Sequence, residues 1–133
     1  MADACTVARM ETIGFMRWAI PEGFLPERTH GLGRELESHE AACFLNAGES
    51  DAHVEITVFF RDREPVGPYR VTVPARRTLH LRFDDLRDPE PIPRGTDYAS
   101  LIESDQRIVV QHTRLDARSA ETALLSTIAF AAE

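Results

Sequence analysis

The sequence predicts an all-β protein, an antiparallel β-sandwich of about seven to eight strands. Three observations carry that expectation. Apolar and polar residues alternate with a period of two in several segments, the pattern of strands with one buried face. Turns rich in Gly, Pro, Asn and Asp separate these segments at short intervals. No long stretch reads as a convincing helix, so layered sheets are the remaining way to bury the apolar faces.

The elements follow in order. "FMRWAI" (15–20) is a plausible first strand, and "PERTHGLGRELES" (26–38) a long connection. "AACFLNAG" (41–48) is almost continuously apolar, as a central strand would be, and "NAGESDA" (46–52) turns the chain. "HVEITVFF" (53–60) sets Val54, Ile56 and Val58 against His53, Glu55, Thr57 and Phe59. After "DREPVGP" (62–68), "PYRVTV" opposes Tyr69, Val71 and Val73 to Arg70 and Thr72. "VPAR" (73–76) leads to "TLHLRFDDL", where Leu79, Leu81 and Phe83 alternate with His80, Arg82 and Asp84. Pro65, Pro68 and Pro74 bound these strands and interrupt none, as a hydrogen-bonded ladder requires. "DLRDPEPIPRGTDYAS" (85–100) holds three prolines and is expected to wrap one end of the sandwich. "IVVQHTRLD" (108–116) begins as a buried strand and then carries five polar residues in six positions. In "DARSAETALLSTIAF", Asp116 can cap one helical turn over 116–122, and "ALLSTIAF" then reads as another central strand.

At 133 residues the chain predicts one domain, a sandwich over 14–133 preceded by a variable tail at 1–13. With 43% apolar and 28% charged residues, the composition is that of a globular protein and excludes disorder over most of the length. Cys5 and Cys43 form no disulfide framework and read as free thiols of a reducing compartment. "ADACTVARMET" lacks the basic start and apolar run of a secretory signal, and no run approaches a membrane helix, so a soluble, cytoplasmic protein is expected. Net charge is −7, unevenly spread: residues 61–94 hold eight Arg against six acids, residues 1–60 four against ten. An acidic chain is a poor general phosphate binder. A local arginine face can still grip a carboxylate or phosphate with two prongs.

Catalytic chemistry finds little support. Histidines 30, 39, 53, 80 and 112 stand far apart, without zinc-site spacing, and the plainer reading makes them rim residues. There is no G-x-S-x-G elbow and no phosphate-cradling glycine loop. No enzyme, metal or cofactor is therefore expected. Recognition of a small molecule survives better. His80 and Arg82 share one face of a strand, as do His112 and Arg114 on another, with Gln111 and Thr113 on its reverse. Trp18, the one tryptophan, precedes "AIPEG", where Glu22 could accept hydroxyls beside the ring. An aromatic face with planar polar groups suits a sugar or a small acid. The plainer reading puts His80 and Arg82 on a solvated sheet face and Trp18 in the core.

From Arg17 to Phe130 the chain resembles the sensory rhodopsin transducer family, the small soluble partners of cyanobacterial-type sensory rhodopsin. The stretches that carry the resemblance are "RWAIPEGFLP", "SHEAACFLNAGESDAHVEITVFF", "REPVGPYRVTVPARRTLHLRFDDL", "DPEPIPRGTDYAS" and "IVVQHTRLDARSAETALLSTIAF". The resemblance implies a non-enzymatic β-sandwich, a homotetramer, signalling downstream of a membrane photoreceptor, and a superfamily of small-molecule and especially carbohydrate binders. It widens the expected ligand-binding set to Trp18, Glu22, Asn46, Arg70, His80, Arg82, Gln111, His112 and Arg114. It also brings a rival, DNA-binding regulation through the arginine-bearing 61–94 face. Net charge and the missing recognition helix speak against that rival. The leading expectation is an oligomeric signalling module in which His80, Arg82, His112 and Arg114 converge on a polar pocket. Phe59 and Phe60 are adjacent, so one of them must leave the intramolecular core, and a subunit interface could receive it.

Overall fold

A computed structural model describes residues 12–30 and 33–132. Eight strands form: β1 (Phe15–Phe24), β2 (His39–Asn46), β3 (Ala52–Phe60), β4 (Val66–Val73), β5 (Arg77–Arg82), β6 (Asp97–Asp116), β7 (Ala123–Ile128) and β8 (Phe130–Ala131). The only helical pieces among the described residues are two 3₁₀ turns, Arg34–Leu36 and Phe83–Asp85. The all-β antiparallel architecture expected from the alternation is what the chain adopts.

β6 organises the molecule. At 20 residues it is far longer than an ordinary strand, and it serves two sheets in succession. Its first part pairs with β3 and β1, giving the order β4-β3-β6-β1-β8. Its second part pairs with β2 and β7, giving β5-β2-β6-β7. The change of sheet falls near residues 104–108, where the β1 register slips between Phe15↔Ile108 and Arg17↔Glu103. Gly14 sits against this corner at φ +103, and a Cβ there would stand 2.0 Å from the Ile108 carbonyl oxygen. No residue with a side chain fits so close an approach.

The core lies between the sheets. Trp18 and Ile20 of β1, Phe44 of β2, Val54, Ile56 and Val58 of β3, and Ile102, Ile108 and Val110 of β6 are all buried. The even-numbered residues of β6 point inward from Tyr98 to His112, because strand side chains alternate. Tyr69 and Val73 are buried on β4, as its alternation predicts.

Two expectations change, and a third is untested. "ALLSTIAF" is not central: β7 is an edge strand, exposed at all six positions, because only β6 pairs with it. Residues 118–121 form bends, and nothing in 117–122 is a helical turn. Asp116 stays in β6 and accepts the Arg118 backbone N–H at 3.1 Å, a local turn that competes with helix formation. Of the expected tail at 1–13, residues 1–11 lie outside the described residues.

Candidate functional site

The polar half of β6 does not run out into solvent. His112 and Arg114 carry the inward parity set by Ile108 and Val110, so the strand's alternation drives them between the sheets. Across the ladder, Glu40 of β2 pairs with Arg114, and Ala42 with His112. Glu40 is only 1% exposed, so its charge depends wholly on protein partners. They are numerous: its Oε1 takes His112 Nε2 at 2.7 Å, and its Oε2 takes the Phe24 backbone N–H at 2.6 Å and Arg114 Nε at 2.8 Å. Arg114 Nη2 also lies 2.6 Å from Oε2. From β1, Glu22 reaches over and accepts Arg114 Nη1 at 3.2 Å. Burial works to lower the Arg114 pKa, but the charge and hydrogen bond of Glu40 outweigh it, so the guanidinium is held more firmly charged. Behind the cluster, burial pushes the Tyr98 phenol well above its usual range, and the Glu40 charge adds to that.

These groups form one side of a cleft of about 470 Å³ between β1 and β7. Its walls are mostly apolar, including Ile20, Pro21, Leu125, Ile128 and Phe130, with Glu22, His112, Arg114 and Thr127 as the polar lining. The size and the few convergent polar groups are those of a small-molecule site. It opens here because β7 is the margin of one sheet, and on the side of β1 away from β6 only the two-residue β8 pairs with it.

Of the nine residues expected at a binding site, the structure brings three together: Glu22, His112 and Arg114. The expected convergence of His80 and Arg82 with His112 and Arg114 does not occur. His80 lies opposite Cys43 on the outer face of the second sheet, in a shallow depression that Gln111 also lines. Arg82 binds Asp84 through Nε at 3.0 Å and Nη2 at 2.7 Å, fixing the 3₁₀ turn at the sandwich end. Arg70 pairs with Glu55 at 3.2 Å on the outer face of the first sheet. Trp18 is core, its indole N–H donating to the carbonyls of Phe15 and Ile108. Asn46 is buried and ties two turns, donating to the Ser50 and Val73 carbonyls and accepting the Gly48 N–H. Reading only strand faces missed Glu40, Leu125 and Phe130. Glu40 had a signal: it shares parity with Ala42, Phe44 and Asn46, so a carboxylate was due inside the core.

The arginine-bearing 61–94 segment is largely self-neutralised. Five of its eight arginines, at 61, 63, 70, 82 and 94, have a carboxylate within 4 Å, leaving little free charge for a phosphate backbone. Among the described residues, no group of three or more His, Cys, Asp or Glu is placed to hold a metal ion. None of the described helices is long and apolar enough to cross a membrane.

Comparison with known proteins decides the family. The family model described as Anabaena sensory rhodopsin transducer matches residues 13–131. The chain belongs to that family. A solved structure of the Anabaena sensory rhodopsin transducer is 56% identical, over 77% of this chain and 98% of that one, with a TM-score of 0.67. The crystal structure of Thermotoga maritima 1070 is 33% identical, over 90% of this chain and 97% of that one, with a TM-score of 0.78. No curated protein matches the chain. Membership of the transducer family supports a role as a signalling module.

Proposed function

We propose that this protein is a non-enzymatic signalling module that recognises a small molecule in the cleft between β1 and β7. The observation that carries this reading is the anchoring of His112 and Arg114 on the buried Glu40, which fixes polar groups at the edge of an apolar hollow. Rigidly held polar groups recognise a ligand without first paying an ordering cost. The cleft's one hydroxyl, on Thr127, donates to the Ile128 carbonyl at 3.4 Å.

The relatives' name suggests the upstream partner, a membrane photoreceptor of the sensory rhodopsin type. Self-association, as a homotetramer, fits the outer face of the second sheet. β7 has an unpaired outer edge, and Leu124 and Ile128 stand 68% and 61% exposed. Exposed apolar edges of this kind call for a covering partner.

A thermal-shift screen of sugars, small acids and amines tests the cleft, because a ligand selective for the folded state raises the melting temperature. The expected result is at least one hit whose effect disappears in Leu125→Trp, a substitution that fills the hollow. A hit that the Trp variant retains would move recognition elsewhere on the molecule.

A further inference from the structure

We infer that the cleft selects a small organic cation, an alkyl or aryl-alkyl ammonium, and rejects acids. The inference rests on the cleft being the recognition site and adds the chemical class of its ligand. Donors and acceptors in the hollow are unequally free. Arg114 is its only lining residue with a fixed positive charge: Nε donates to Glu40, Nη1 donates to Glu22, and Nη2, 2.6 Å from Glu40 Oε2 without a hydrogen bond of its own, is buried out of a ligand's reach. A ligand carboxylate would have to displace one of those acids and then sit beside both.

Acceptors remain available. Glu40 is held as an acceptor by Arg114, so His112 Nε2 is the donor in their 2.7 Å contact. The other ring nitrogen, Nδ1, has no hydrogen-bond partner among the described residues. Glu22 stands at the mouth with its side chain 76% exposed, and only its Oε2 is engaged with Arg114. Asp116 and Arg118, the next charges along the chain, cancel each other at 2.6 Å. Two carboxylates, Glu22 and Glu40, therefore share the one guanidinium of Arg114 on this side of the cleft. The rest of the lining is largely apolar, including Ile20, Pro21, Leu125 and Phe130. A single cationic head on an apolar body matches both kinds of lining at once, its ammonium at Glu22 and its hydrocarbon on the apolar residues, where the Phe130 ring can add a cation–π or packing contact.

Phenethylammonium, its acid counterpart 3-phenylpropanoate, and glucose are the probes, titrated into the full chain at low salt. The amide signals of Ile20, Leu125 and Ala129 are followed by NMR. Phenethylammonium is expected to shift these amides saturably and to bind at least ~10-fold more tightly than 3-phenylpropanoate, a difference of about 1.4 kcal/mol. Glu22→Gln, at an exposed position that does not threaten folding, is expected to weaken phenethylammonium binding by several-fold and to leave 3-phenylpropanoate unchanged or improved. Equal or tighter binding of 3-phenylpropanoate or glucose at the same amides overturns the cation preference and leaves the cleft as the site. If no probe moves the cleft amides, the cleft and its preference both fall.

Discussion

The two halves of β6 carry their charges on opposite sides. In the first half, Glu103 and Asp105 point outward and meet Arg17 and His53 at 3.4 and 2.9 Å, while Ile102 fills the core between them. In the second half, the outward positions are the neutral Val109, Gln111 and Thr113, and the His112 ring and the Arg114 charge face in. The same strand, with the same parity, therefore makes one conventional solvated face and one inverted face. Outward charges on the first sheet keep it in water. On the second sheet, the neutral outer face invites a neighbour and the charged inner face fixes a cleft. A strand that changes sheets can change its chemistry at the same corner.

The inverted half should be the more sensitive to substitution. Glu40→Gln removes the one negative charge that balances Arg114 inside the sandwich, and breaking a buried pair costs about 3–5 kcal/mol. Urea unfolding should show a loss of that size, with the His112 and Arg114 side-chain signals changed as well. A loss under about 1 kcal/mol would mean that water reaches Glu40 and that the two halves do not differ in kind.

How much of this was legible follows from the same contrast. The first half and its partners obey alternation: Val54, Ile56 and Val58 are buried, and His53 and Glu55 face out. The fold class could therefore be read from period two alone. The candidate site could be read only in part, because parity says which residues share a face and not which face is inside. His112 and Arg114 were recognisable as a pair, and so were His80 and Arg82. Which pair faces inward depends on β2 lying between β5 and β6, a long-range pairing that no local pattern encodes. β7 misled for a related reason. Its apolar composition looks central, yet it is an edge whose apolar side chains are exposed.

Tyr98 sharpens the comparison at alkaline pH, since it is a polar group buried on the first half's inner face. Its folded pKa lies well above the unfolded value of 10.0, chiefly through burial, so the folded state holds the proton more tightly. The sign is then fixed: stability is unaffected below pH 10 and falls as pH rises beyond it, where the unfolded chain releases protons and the folded one does not. Tyr69, the only other tyrosine, is raised for the same main reason, so both phenols respond together. Phenolate absorbance should stay low past pH 10 and then rise in step with loss of far-UV β signal. A smooth titration at pH 10 with the fold intact would place Tyr98 in water.

On the neutral outer face, Leu124→Glu is expected to dissociate the proposed oligomer and to change monomer stability by no more than about 0.5 kcal/mol, since exposed positions tolerate substitution. Sedimentation velocity reads the change in mass directly. An unchanged assembly would put the covered surface elsewhere, with Phe59, 40% exposed on the first sheet, as the next place to test.

The smallest effect belongs to the outward charges. Glu103→Gln breaks a pair whose side chains are 49% and 47% exposed, so water and salt already screen most of its attraction. The expected cost is about 0–1 kcal/mol, shrinking further in 1 M salt. Asp105 behaves alike under acid: hydrogen bonds from the His53 backbone and ring hold its carboxyl below the usual 3.8. Its small contribution is therefore present above that pH and fades as pH falls through the depressed value. Measured beside Glu40→Gln in the same urea series, Glu103→Gln gives the contrast its scale. The two residues are both glutamates that partner an arginine across a ladder involving β6, one on the outer and one on the inner surface. A several-fold ratio between their costs follows from burial alone. Equal costs would show that the direction a side chain faces along β6 does not decide what its charge contributes.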